Sequence, residues 1–229
     1  MTKHLPALLK CPLFKEFDET ELTSLLTCLN VTIKHHPAND YLLLHGNVVD
    51  SVGIIVAGTI EIIKENVAGD RHIVATLGTS DIFGEGIVCT QKRIAPVSAR
   101  TKTEATILFI PYDKIIRLCN NACGYHTRLI QNMMLLLGEK NTYLNHKIDL
   151  LVLKGIKEKL AAFLINASRS HNSKQFSIPL NRNELAEYLN VSRPSMSREL
   201  ATLKMKGIID YHKNTFRIID IDALTEFLL

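Results

Sequence analysis

Residues 17–30, FDETELTSLLTCLN, place their apolar groups at helical spacing. Asp18, followed three residues later by Glu21, predicts a capping box at the helix start. The period then changes. From about 31 to 111 the chain breaks into short β-rich runs: YLLLHG, VGIIVAG, TIEIIKEN, HIVATLG and ATILFIP. Gly46, Gly58, Gly69 and Gly78 stand at the ends of runs, where turns need positive φ or a close backbone approach. NVAGDRHI separates two runs as a hairpin tip. Many short strands without helices between them predict a small sandwich or barrel.

Beyond Pro111 the period is helical. Within 125–153, Ile130, Met134, Leu137, Asn141, Leu144, Ile148 and Leu151 recur at alternating spacings of four and three, the seam of a coiled coil. Asn141 is its one polar member and would fix register and pairing at some cost in stability. The competing reading is a long core helix lying on the chain's own β domain. A parallel homodimer is preferred, because an apolar seam of this length after a complete β domain needs a partner, and Leu137→Asp is then expected to yield monomers. Residues 154–168 form another amphipathic helix, RSHNSKQ at 169–175 a polar linker, and FSIPL at 176–180 a short β-like run.

The stretch NRNELAEYLNVSRPSMSREL, 181–200, reads as two helices at a tight turn. Asn181 and Glu184 predict a capping box, and Leu185, Ala186 and Leu189 an apolar face. Asn190 suits the left-handed turn position. Ser192 suits the next cap, and Pro194 the first helical turn, where a missing amide hydrogen is tolerated. Met196, Leu200, Leu203 and Met205 are expected inward; Arg193, Ser195, Ser197, Arg198, Thr202 and Lys206 are left for the surface. Gly207 ends the helix, and IIDYH and TFRII flanking KN predict a β-hairpin. A helix-turn-helix followed at once by such a wing predicts DNA reading. Arginine grips guanine O6 and N7, while serine and the helix N-terminus bind phosphate. Lys213 and Arg217 are placed to touch the backbone beside the groove.

The 229 residues suffice for one large or two smaller domains, with the composition of a folded chain (46% hydrophobic, 22% charged). No apolar run is long enough to span a membrane and no signal peptide is evident, which predicts a cytoplasmic protein without a membrane partner. The net charge of +4 permits nucleic acid without requiring it. Cys11, Cys28, Cys89, Cys119 and Cys123 are an odd number, widely spread, with no CxxC or Cys/His cluster, so no metal site is expected. Cys119 and Cys123, one helical turn apart, would pair only with backbone adjustment. No GxSxG, Walker loop, HExxH or dinucleotide fingerprint is present, and no enzyme is expected.

Across nearly its whole length the chain resembles the CRP/FNR family of bacterial transcription regulators. LAEYLNVSRPSMSRELATLKMKGII looks like the family's winged helix-turn-helix signature. GNVVDSVGIIVAGTIEI and LGTSDIFGEG resemble its cyclic-nucleotide-binding-type β-roll. The resemblance implies an α+β chain: an effector-sensing β-roll domain over 1–120, a dimerisation helix over 121–153 and a winged helix-turn-helix DNA-binding domain over 154–229. It implies a homodimer on a roughly palindromic site in double-stranded DNA, working with RNA polymerase. The runner-up is a dimeric ligand-binding or protein-interaction module without specific DNA readout. Arg193 and Arg198 match family positions that contact DNA, as does Ser197 in the FNR-like branch. Pro194 replaces a glutamate common in the family, so the familiar half-site does not carry over.

The effector is not identified by the resemblance. Gly84 and Glu85 match the cyclic-AMP cassette, but its phosphate-binding Arg-Ser pair falls on Ala95 and Pro96. A carboxylate without its cationic partner is a poor phosphate site. Arg93 or Arg100 would have to substitute, with Ser98 assisting, and Asn141 is a further candidate on the helix. A cyclic nucleotide is therefore disfavoured. An FNR-type iron–sulfur cluster is disfavoured too, since only Cys11 and Cys28 lie near the N-terminus. Haem stays open, with His35, His36, His72 and His126 available. An effector held between β-roll and dimer helix is expected to change how the winged domains face DNA, with Gly155 as a relief point in the helix.

Overall fold

The computed structural model describes residues 2–65, 71–117 and 124–228. The chain divides into two compact units, Met1–Lys140 and Asn141–Leu229. The division falls inside the long helix rather than at its start.

The first unit opens with α1 (Leu5–Leu8) and α2 (Glu19–Cys28). Asp18 caps α2 in the expected box with Glu21. Eight strands follow: β1 (Thr32–His36), β2 (Tyr41–Leu43), β3 (Ser51–Ala57), β4 (Ile60–Glu65), β5 (Arg71–Leu77), β6 (Ile82–Phe83), β7 (Ser98–Thr101) and β8 (Ala105–Pro111). A single turn, α3 (Glu85–Val88), lies between β6 and β7, and α4 (Tyr112–Ile116) leads toward α5 (Gly124–Val152). The strands form two four-stranded antiparallel sheets, ordered β1-β8-β3-β6 and β2-β7-β4-β5. The tip of the β4–β5 hairpin, with Gly69, lies outside the described residues, but Glu65 pairs with Arg71 across its base.

Alternation along the strands separates two apolar cores. Val52, Ile54, Leu108 and Ile110 pack with Leu8, Phe14, Leu22 and Leu26 of the N-terminal helices and with Leu129, Met133 and Leu136 of α5. Ile55, Phe83 and Ile107 face Ile60 and Ala99 of the other sheet. Polar ties fix the helices: Asn132 donates to the Leu13 and Lys15 carbonyls (3.1 and 2.9 Å), and Arg128 pairs with Glu21 at 2.6 Å.

Gly46 and Gly58 have the positive φ expected of them, while Gly78 does not. At Gly58 (φ +91°) an added Cβ would stand 2.3 Å from the Glu104 carbonyl oxygen and 2.7 Å from Ala105 Cα. Gly58→Ala is expected to destabilise the first unit by about 1–3 kcal/mol through the left-handed strain alone, with the backbone clash adding to it. Urea denaturation of the two proteins measures the difference.

The second unit continues α5 and adds α6 (Ile156–Ser170), α7 (Arg182–Tyr188), α8 (Arg193–Met205) and α9 (Ile221–Thr225). A three-stranded sheet of order β10-β11-β9 is built from β9 (Gln175–Ser177), β10 (Ile209–His212) and β11 (Thr215–Ile218). Its core gathers Leu150 of α5 with Leu160, Leu164, Leu185, Leu200, Phe216 and Leu224. Gly155 lies outside any helix, contrary to the helix position expected from sequence. The helix stops at Val152, and Gly155 is the extended residue before α6 (φ −89°, ψ 147°), its amide donating to Glu158 at 3.1 Å.

Candidate nucleic-acid interface

The turn between α7 and α8 is built as its residues predict. Asn181 and Glu184 close a reciprocal cap on α7, and Asn190 takes φ 51°. Ser192 caps α8: its Oγ accepts from the Ser195 amide (3.3 Å) and donates to Ser195 Oγ (2.8 Å), with Pro194 in the first turn. Met196, Leu200 and Leu203 are buried, which orients the helix on the core. Arg193, Ser197 and Arg198 are thereby left exposed, with Ser192 exposed and Ser195 half-buried beside them. Among the described residues, Arg198 makes two long bonds within its own helix, to the Pro194 carbonyl at 3.4 Å and Ser195 Oγ at 3.3 Å. Met205 departs from expectation and is 81% exposed. It follows Met196 by nine residues, half a turn out of phase with the buried stripe.

The wing pairs Ile209 with Ile218 through to His212 with Thr215, leaving Lys213 (φ 50°) and Arg217 exposed. Two basic side chains hold it against the helices. The guanidinium of Arg182 lies over the rings of Tyr211 (4.8 Å) and Phe216 (4.9 Å) and donates to the Lys213 carbonyl (3.0 Å). Burial there pulls the Arg182 pKa below its ordinary value. Lys204 reaches Asp210 at 2.6 Å and the Tyr211 carbonyl at 3.2 Å, and its hydrogen bond holds the Asp210 carboxyl below the usual carboxylate range. Sequence reasoning missed the role of Arg182; the available signal was an arginine opening α7 together with aromatic residues on the wing. Arg182→Ala is expected to keep the helices intact but loosen the wing, weakening DNA binding by about 1–2 kcal/mol. Faster exchange of wing amides, alongside a binding titration, checks both halves of that expectation.

Glu85, Arg93, Ser98 and Arg100 of the effector candidates each engage other groups of the first unit. Gly84 (φ 83°) caps α3, and Glu85 is buried, with Oε1 2.5 Å from Lys140 Nζ and Oε2 without a partner among the described residues. Arg93 stacks on Tyr112 (4.7 Å) and pairs with Asp113 (3.5 Å). Arg100 pairs across the sheet with buried Glu61 at 3.1 Å, and this bond holds the Glu61 carboxyl low. Ser98 Oγ accepts from the His45 amide (3.0 Å), and Ala95 is buried. Asn141 is exposed and belongs to the second unit. A cyclic nucleotide does not fit these residues: Glu85 is taken by Lys140, and both substitute guanidiniums are committed to carboxylates elsewhere.

The four histidines are spread over β1, β5 and α5. His35 bonds to Thr106 Oγ1 (2.8 Å) and His36 to Asp40 (2.7 Å), while burial lowers the pKa of His126. Among the described residues no three His, Cys, Asp or Glu side chains converge on a metal position. Burial pushes the Cys11 thiol up to about 11, which keeps it a poor nucleophile at neutral pH. Cys119 and Cys123 lie outside the described residues.

On α5, Met134 (69%), Leu144 (54%), Ile148 (55%) and Leu151 (41%) are exposed, as is Asn141. Ile130 and Leu137 are half-buried, and Leu137 packs on the first unit's helical core. No described helix is long and apolar enough to cross a membrane.

Comparison with known proteins agrees with this geometry. Residues 33–122 match the cyclic nucleotide-binding domain family, and residues 158–227 the Crp-like helix-turn-helix domain family. The anaerobic regulatory protein of Pasteurella multocida is 25% identical over 186 residues, covering 79% of this chain and 66% of that one. The transcriptional activator protein anr of Pseudomonas aeruginosa is 24% identical over 196 residues, covering 79% and 74%. Among solved structures, the catabolite activator protein of Thermus thermophilus aligns with a TM-score of 0.54 at 19% identity, over 95% of this chain and 98% of that one. A CooA variant from Carboxydothermus hydrogenoformans aligns with a TM-score of 0.53 at 21% identity, over 99% and 96%. With both domain families matched in the expected order, the chain belongs to the CRP/FNR family of bacterial transcription regulators and is a DNA-binding regulator of transcription, not an enzyme.

Proposed function

We propose that this regulator reads a roughly palindromic duplex site in the cytoplasm as a homodimer joined along the α5 seam, with RNA polymerase as its further partner. Regulators of this family bind DNA and act as dimers, and two symmetric recognition helices need half-sites about 34–36 Å apart. The observation that carries the reading is α8 itself. Its apolar side is fully used by Met196, Leu200 and Leu203, while Arg193, Ser197 and Arg198 stand exposed beside a wing bearing Lys213 and Arg217. Ser192, Ser195 and the helix N-terminus suit phosphate, the arginines suit guanine, and the wing residues suit the flanking backbone. Control by a small molecule acts through the β-roll, by a ligand other than a cyclic nucleotide.

Mobility-shift titration on promoter DNA at several salt concentrations is the test. A dimer neutralising six or more phosphates is expected to lose about 10³-fold in affinity between 50 and 200 mM salt. Salt-insensitive binding, or equal affinity for promoter and random DNA, would favour the protein-interaction module instead.

A further inference from the structure

The second half of α5 carries two stripes, and the seam is one of them. Tyr143, Lys147 and Leu150 follow one another at spacings of four and three, so they share a helix face. That face lies roughly a third of a turn from the one bearing Leu144, Ile148 and Leu151. The seam stripe is exposed, whereas the other meets the winged part of its own unit.

Tyr188, the last residue of α7, receives that second stripe. The Tyr143 ring lies 6.2 Å from the Tyr188 ring, and Lys147 Nζ stands 5.6 Å from the centre of the same ring. Phe163 of α6 meets Tyr188 edge on at 5.7 Å. One turn earlier on α6, the buried Lys159 donates to the Leu189 carbonyl at 3.2 Å. The end of α7, where the chain turns into α8, is thus held by α6 and α5 together. Leu150 completes the stripe inside the core of the unit, 3% exposed.

The covalent route between α5 and the winged domain is short. Three residues, 153–155, join α5 to α6. A helix tied there alone would be free to swing about the joint. Tyr143 acts about 13 Å farther up α5 than Val152, the last helical residue. A contact at that distance opposes swinging through a long lever arm.

We propose that Tyr143 and Lys147, acting on Tyr188, set the separation of the two recognition helices and so select the spacing between half-sites. Both are positioning residues, and neither has to touch DNA. Given the pairing proposed for the seam, on which this rests, the dimer places the two α5 helices and each clamp places its own α8. One added base pair moves a half-site by about 3.4 Å and turns it by roughly 34°. Clamped winged domains follow such a displacement only by giving up these contacts.

Selection from a random-sequence duplex library by the full chain tests this, because the enriched sequences report half-site and spacing separately. The wild type is expected to enrich inverted repeats of one spacing. Tyr143→Ala should enrich the same half-site at scattered spacings, with Tyr143→Phe behaving as the wild type. On duplexes rebuilt from the enriched sequence, one added central base pair should weaken the wild type by about tenfold or more, and Tyr143→Ala by less than about threefold. Tyr143 is 50% exposed, so its truncation spares the core. Lys147→Met removes the cation alone and should scatter the spacing in the same direction. A single spacing kept by both Tyr143→Ala and Lys147→Met would overturn the clamp and leave the dimer standing. Loss of the half-site sequence in Tyr143→Ala would also overturn it, making Tyr143 a residue of the fold alone. Enrichment of unpaired half-sites by the wild type would remove the dimer reading, and the clamp with it.

Discussion

Replacing Leu144 with aspartate is expected to give a folded monomer that no longer holds its operator. Leu144 is 54% exposed and contributes to none of the three cores, so the substitution costs the protomer little. In a parallel seam the two copies of Leu144 bury one another, worth about 1.5–3 kcal/mol each, and the variant sets two carboxylates in their place. The dimer dissociation constant should rise by about 10²–10⁴-fold. Sedimentation equilibrium reads the mass and a circular dichroism melt the retained fold; an unchanged sedimentation profile would remove the seam. Leu137, the position that sequence alone recommends for this experiment, is a worse choice. It packs partly on the first unit's core, so an aspartate there would injure the protomer along with the pairing.

Loss of Arg193 or Arg198 should act on discrimination, with no loss of folding. Each is exposed at the start of α8, and the contacts of Arg198 among the described residues are long ones that it can give up for a base. If each grips a guanine, alanine costs about 1–3 kcal/mol on the specific site and much less on random duplex. An equal loss on both would leave them as phosphate contacts. Arg217→Ala supplies the comparison: a backbone contact on the wing should weaken all sequences alike and reduce the salt slope by about one. Competition titrations with operator and random DNA, repeated at two salt concentrations, separate the two classes of arginine.

The winged domain was legible in the sequence because its signals are local. Asn181, Glu184, Asn190, Ser192 and Pro194 each do their work within a few residues, and the buried stripe of α8 repeats at helical spacing. The places where reading failed depend on distant partners or weak periodicity. Arg182 is explained only by Tyr211 and Phe216, brought over it by the wing. Lys140 meets Glu85 from a helix that begins well after the cassette. Strand β1, Thr-Ile-Lys-His-His, shows little burial alternation, because its polar side chains face a cleft and solvent. Met205 is apolar, which alone points it inward, but its phase on α8 puts it outside. Gly155 read as a helix residue because nothing local marks Val152 as the end.

The uncovered stripe on α5 also bears on how the regulator responds to its own abundance. If the proposed seam of Met134, Leu144, Ile148 and Leu151, all exposed, is the contact, only paired chains present two recognition helices. Below the pairing constant, operator occupancy then rises with the square of the number of chains per cell, not in proportion to it. Halving expression would cut occupancy about fourfold in that regime. The rates of synthesis and degradation become a second input to the promoter, alongside whatever the β-roll senses.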